Sequence, residues 1–245
     1  MPASDRMLQW NGPELLPALN ERAGMAGEQY RKISIKLEAL KETLGGAMKV
    51  IVVTSPLMGD GKTVTAANVA AMLAQSEGRR VCLVDCDARK PRIWSFFRNP
   101  PVIGLVDVLV SGTPIGEAVS RTEGIPLDVL ALPKRVDSRV EPLPVERMKS
   151  VLRDLRERYD FAVCDAPPVL PVAETAALAR MGDGILVVVR AGMTPRHAVS
   201  YALEGIDKNK LIGFVLNGVA ERSIHKYYYR YHAGEDDGRR SRSGT

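Results

Sequence analysis

The sequence predicts an α/β fold, a mostly parallel sheet flanked by helices, and two observations carry that expectation. Six short runs, KVIVVTS, RVCLVD, LDVLAL, DFAVCD, GILVVVR and LIGFVLN, are rich in Val, Ile and Leu and largely lack polar alternation. Strands covered on both faces have this composition, and parallel strands are the ones covered that way. Helical stretches near 62–77, 142–158, 172–180 and 196–208 separate the runs. Strands alternating with helices build parallel sheets.

Residues 1–26 carry Pro2, Pro13, Pro17, Gly12 and Gly24 without a sustained period, so a flexible arm is expected there. EQYRKISIKLEALKETLGG follows, with Tyr30, Ile33, Leu37, Leu40 and Leu44 at steps of three and four and Gly45-Gly46 as a stop. That spacing predicts an amphipathic helix whose apolar stripe packs on the domain or meets another subunit. The compact domain is expected over 27–221, with short helices and turns in 93–120, where Gly104, Gly112, Pro114 and Gly116 interrupt any longer element. Residues 222–245 read as a flexible tail, HAGEDDGRRSRSGT at its end, preceded by KYYYRYH. Tyr227, Tyr228, Tyr229 and Tyr231 are four of the chain's seven tyrosines. Such massing at a loose end suits a substrate; an edge strand or a membrane-surface patch are the structural alternatives.

Composition narrows the class. At 245 residues one large domain is the economical reading. A net charge of +5 suits a weak attraction to anionic membrane or acidic partners but lacks the dense basic stripe of a nucleic-acid binder, so no nucleic-acid partner is expected. Cys82, Cys86 and Cys164 lie in or beside apolar runs and are odd in number, as free buried thiols of a reducing cytosol would be. No 18-residue apolar stretch and no signal-peptide core occur, so a cytoplasmic chain is expected, with any membrane link supplied by a partner.

The most specific signal is VIVVTSPLMGDGKTVTAANVA. A strand runs into a glycine-rich loop and a helix starts at its end, the arrangement of a phosphate-binding P-loop. Met58, Gly59, Asp60, Gly61, Lys62, Thr63 and Val64 form the expected nucleotide cradle. Glycines let backbone N–H groups turn toward phosphate oxygens, Lys62 can reach the β- and γ-phosphates, and the Thr63 hydroxyl can bind Mg²⁺. Pro56 stands where the general pattern has its first glycine.

Two acidic sites follow at strand ends: Asp85 and Asp87 in RVCLVDCDARKPR, and Asp165 in DFAVCDAPPVL. Ligands bind at the carboxyl edge of parallel sheets, and Mg²⁺ takes hard oxygen ligands. Together with the loop these residues predict a Mg-ATP site in a P-loop NTPase fold, of the deviant-Walker type by the family resemblance that follows. Arg190 and Asn217 also sit at strand ends, within reach of a base, a neighbouring subunit or merely the fold.

VTSPLMGDGKT, VCLVDCDARKP and FAVCDAPPVLPVAE, followed by a tyrosine-rich tail, resemble the bacterial tyrosine kinases of capsule and exopolysaccharide assembly (BY-kinases) over roughly residues 28–231. The resemblance implies an ATP-dependent tyrosine autokinase. Lys62 and Thr63 match the family's Walker A lysine and hydroxyl. Asp85 and Asp87 match its acidic pair, one helping to hold magnesium (assigned to Asp85 here, beside Thr63 and Asp165) and one activating the tyrosine hydroxyl. Tyr227, Tyr228, Tyr229 and Tyr231 match the autophosphorylation cluster, each tail entering a neighbour's active site in a homo-oligomeric ring. The family also implies activation by a membrane-spanning chain-length regulator, which would bring the protein to the inner face of the cell membrane.

Three positions depart from the family pattern. Glu28 and Arg31 fit its Glu-x-x-Arg-x-x-Arg subunit-contact motif, but Ser34 stands where the second Arg belongs; Met58 replaces a usual Pro, and Glu174 a frequent Asp. The rival readings are a dimerisation-switch ATPase, against which Leu57 occupies the place of the signature lysine, and a non-catalytic nucleotide-binding regulator of polysaccharide export.

Overall fold

A computed structural model describes residues 7–12, 16–19, 24–136, 143–170 and 173–220. The strands are β1 Met7–Leu8, β2 Val50–Thr54, β3 Val81–Asp85, β4 Ser120–Thr122, β5 Leu127–Leu130, β6 Phe161–Asp165, β7 Gly184–Arg190 and β8 Leu211–Asn217. The α-helices are α1 Gly24–Thr43, α2 Lys62–Ala74, α3 Leu105–Ser111, α4 Ile115–Ala118, α5 Val145–Arg158, α6 Ala173–Met181 and α7 Arg196–Glu204. All six apolar runs are strands of a single sheet ordered β1-β4-β5-β3-β6-β2-β7-β8. Neighbours are parallel except β4 and β5.

Every residue of β2, β3 and β6 is buried, because helices cover both faces. Successive residues of a strand serve opposite cores. Ile51, Val53, Leu83 and Val163 pack with α2, while Val50, Val52, Cys82, Val84 and Cys164 pack with Met148, Val151, Leu152 and Leu155 of α5. The α2 face is made of Ala66, Ala67, Val69, Ala70 and Leu73, small enough to bring this helix close to the sheet. That placement fixes the loop at its N-terminus.

The apolar stripe of α1 packs on the domain. Leu37 is fully buried, and Tyr30, Ile33 and Leu40 lie half-buried against the same core as α2, whereas Leu44 at the helix end is 50% exposed. Glu28 and Arg31 point outward, but Ser34 is buried, its hydroxyl donating to the Arg31 carbonyl at 2.9 Å. The place of the family's second Arg is thus inside the helix–core contact.

The expectation of a flexible arm over 1–26 needs correction for the residues described. β1 pairs in parallel with β4, Trp10 bridges to Phe97 with ring centroids 4.7 Å apart, and Leu8, Leu16 and Ala18 are buried. The Ala18 amide donates to Asn68 of α2 at 3.0 Å. Apolar side chains spaced too irregularly to show a period nevertheless find the sheet edge and the α2 surface. The three cysteines are free and buried, as expected. Residues 221–245, and with them Tyr227, Tyr228, Tyr229 and Tyr231, lie outside the described residues.

Candidate active site

The parallel sheet brings the carboxyl ends of β2, β3, β6, β7 and β8 to one edge, and each delivers a polar group there. β2 runs into the loop 55–61, whose Gly59 and Gly61 take φ of +87° and +98°. A Cβ is strained in this left-handed region, so glycine is required at these turns. Gly61 then caps α2, and Lys62 and Thr63 are the helix's first residues, with the positive end of its dipole facing the loop.

In register, Asp85 of β3 stands beside Asp165 of β6, which neighbours Val53 of β2. Lys62 Nζ lies 2.8 Å from Asp87 Oδ2 and 3.9 Å from Asp165 Oδ1. Burial works against the ammonium, but Asp165, Asp87 and, least of the three, Asp85 outweigh it, and the Lys62 pKa is raised. Lys62 is therefore held charged.

The carboxylates differ in what they touch. Asp85 accepts backbone N–H groups from Asp87 (3.2 Å), Arg92 (3.2 Å) and Ile93 (3.1 Å), which shapes the turn that presents Asp87. Burial, with the Asp165 charge adding to it, holds Asp85 well above the usual carboxylate range. Asp87 accepts the Lys90 N–H at 3.0 Å and faces Lys62. Asp165 is fully buried, and neither of its oxygens has a hydrogen-bond partner of ordinary geometry. Burial pushes its pKa up to about 6, partly offset by the Lys62 ammonium and the Thr63 hydroxyl.

A buried carboxylate left without donors is costly unless something else satisfies it. Asp165 and Thr63 together fit a magnesium ion, which takes one or two protein oxygens and completes its shell with water and phosphate. Among the described residues no three His, Cys, Asp or Glu side chains form a metal-holding group, so those residues offer no all-protein cage.

A cavity of about 700 Å³ opens at this place. Met58, Gly59, Gly61, Lys62, Thr63 and Val64 form one wall and Asp87, Arg89, Lys90 and Arg92 face them, with Phe96 and Pro168 supplying apolar surface. The basic side chains of the 89–92 turn suit an anionic ligand and were not singled out from sequence. Asp60, expected in the cradle, does not line the cavity; it is 4% exposed, its carboxylate accepting the Leu57 N–H and the Thr194 hydroxyl. Arg190 and Asn217 hydrogen-bond the loop backbone, at the carbonyls of Gly59 and Asp60.

The AAA domain model matches residues 48–216. The chain is 33% identical over 215 residues to tyrosine-protein kinase YwqD of Bacillus subtilis, covering 86% of this chain and 90% of that one. It is 33% identical over 197 residues to the succinoglycan biosynthesis transport protein ExoP of Rhizobium meliloti, of whose length it spans 25%. Among solved structures, the chimerical protein CapA2B2 superposes with a TM-score of 0.75 at 26% identity, covering 88% of this chain and 94% of that one.

Proposed function

This chain belongs to the AAA domain family and, within it, to the bacterial tyrosine kinases, and on that basis we propose that it transfers the γ-phosphoryl group of ATP to Tyr227, Tyr228, Tyr229 and Tyr231 of a neighbouring copy. The observation that carries this reading is the Asp165 carboxylate, fully buried, without a hydrogen-bond partner of ordinary geometry, beside the Thr63 hydroxyl and 3.9 Å from Lys62.

Thr63 and Asp165 would hold magnesium, which when bound neutralises charge on the phosphates. Lys62 leaves Asp87 to meet the β- and γ-oxygens, and the loop N–H groups and the α2 dipole orient the phosphate chain. Asp87, released from Lys62, accepts the phenol proton as the tyrosine oxygen bonds to phosphorus; the bond to the ADP oxygen breaks, and the proton passes on to solvent. A phenol of pKa ~10 needs such a base near neutral pH. Asp85 positions Asp87 by holding its turn; its acceptor sites, largely taken by three N–H groups, leave it poorly suited to the metal role expected from sequence.

Three finer points belong to the same proposal. The copies form a ring that exchanges tails. The cytosolic end of a membrane-spanning chain-length regulator activates the kinase and recruits it to the inner face of the membrane. Its role is to regulate polymerisation and export of an exopolysaccharide or capsule. The name of the succinoglycan transport relative supports the last point, and the chimeric construction of CapA2B2 is consistent with a partner. No helix among the described residues is long and apolar enough to cross a membrane.

The test is incubation with Mg-ATP, with and without candidate regulator peptide, and mass spectrometry of residues 222–245. Phosphate on the four tyrosines, lost in Lys62→Met and Asp87→Asn, is expected. ATP hydrolysis with an unmodified tail would point instead to a switch ATPase.

A further inference from the structure

A carboxylate inside a phosphate-binding loop is an electrostatic anomaly. Asp60 sits between Gly59 and Gly61, yet it is 4% exposed and its carboxyl group does not face the cavity. Two hydrogen bonds hold it back. Its Oδ2 accepts the Leu57 N–H at 3.0 Å, within the loop. Its Oδ1 accepts the hydroxyl of Thr194 at 2.6 Å, from the turn that follows β7.

Thr194 is itself set in place. Its hydroxyl oxygen accepts the Arg190 N–H at 2.9 Å, which leaves the hydroxyl proton for Asp60, and its own N–H donates to the Arg190 carbonyl at 3.0 Å. The same neighbourhood grips the loop backbone: Arg190 Nη1 donates to the Gly59 carbonyl at 3.1 Å and Asn217 Nδ2 to the Asp60 carbonyl at 2.9 Å. Asn217 fills the space a side chain at Gly61 would need, its Nδ2 only 1.9 Å from an ideal Cβ there.

We infer that Thr194 is a positioning residue for nucleotide binding: its hydroxyl holds the Asp60 carboxylate out of the phosphate cradle, while Arg190 and Asn217 anchor the loop backbone around it. Freed from Thr194, the carboxylate keeps only the Leu57 N–H and can swing toward the phosphates, where like charge repels. The inference rests on the reading of the loop as a nucleotide site and is independent of which tyrosines are modified.

The experiment is calorimetric titration of the full chain with ATP and Mg²⁺. Thr194→Val keeps the side chain's shape and removes the hydroxyl; ATP binding should weaken about tenfold, the scale of one charge-assisted hydrogen bond. Thr194→Ser should restore it to near wild type. In the Asp60→Asn background, where no charge remains to be held back, Thr194→Val should cost at most about twofold, so the two effects are non-additive. Unchanged binding in Thr194→Val, or an equal penalty in both backgrounds, overturns the inference. Should Thr194→Val not melt cooperatively, Asp60→Asn alone decides: binding near wild type is expected, and a tenfold loss would show that the carboxylate itself is needed. Lys62→Ala distinguishes the underlying reading, because ATP binding undiminished in that variant removes the phosphate site itself, and the inference with it.

Discussion

Lys62 and Asp87 form an ion pair of 2.8 Å in which both side chains are largely shielded from water, 12% and 4% exposed. Asp165 lies 3.9 Å from the same ammonium, so one lysine offsets the charge of two neighbouring buried carboxylates.

Removing that lysine should therefore cost stability as well as activity. Lys62→Met is expected to abolish tail phosphorylation and to destabilise the nucleotide-free protein by about 3–5 kcal/mol, the scale for breaking a buried pair from one side. Thermal melting in the absence of ATP checks this. Adding Asp87→Asn should recover part of the loss without recovering activity. A Lys62→Met protein that melts at or above the wild-type temperature would contradict this charge balance.

Asp165→Asn should act in the opposite direction, and in a pH-dependent way. The folded pKa of about 6 lies above the ordinary carboxylate value of 3.8, so folding disfavours the charged form. The penalty is absent below the unfolded pKa, grows as pH rises and is complete above about pH 6. Asparagine should raise the melting temperature at pH 7.5, by at most about 3 kcal/mol in stability, and the gain should shrink toward pH 4. The same variant should lose magnesium-dependent activity. Melting curves across pH that run parallel for the two proteins would rule this account out.

Gly61→Ala should disable the loop. The position has φ of +98°, and the new methyl group would lie 1.9 Å from Asn217 Nδ2. Strain at positive φ alone is worth about 1 kcal/mol or more, and Asn217 must also give up its bond to the Asp60 carbonyl. A loss of ATP affinity of at least about tenfold is expected in calorimetry; binding at the wild-type level would mean that the loop adapts.

Leu8→Ala tests the packing of the N-terminal segment. A free arm would not respond, whereas Leu8 is 2% exposed within the core shared with α2. Destabilisation of about 2–3 kcal/mol is expected from a denaturant melt, with an unchanged slope.

Six of the seven strands following Lys49, the P-loop and the acidic strand ends were legible in the residues because each is coded locally. Continuous β-branched runs mark strands covered on both faces, glycines mark the left-handed turn, and a strand ending in Asp marks the sheet edge. The α1 stripe was equally legible, although its destination was not: packing on α2 rather than on another subunit depends on what α2 presents.

The short strands β1 and β4 escaped a reading by period, being too short to show one, and the apparent arm was ordered by side chains that pair far along the chain. The carboxylates show the limit most sharply. Asp85 and Asp165 look alike in sequence, each ending a buried strand. One is occupied by three backbone N–H groups of a following turn, and the other accepts no hydrogen bond of ordinary geometry. Likewise Asp60 looks like a member of the cradle until Thr194, 134 residues away, is seen to hold it back. Periodicity and turn chemistry are properties of neighbouring residues and survive in a linear text. The occupancy of a lone pair is set by groups that only folding brings within 3 Å, and no linear pattern records it.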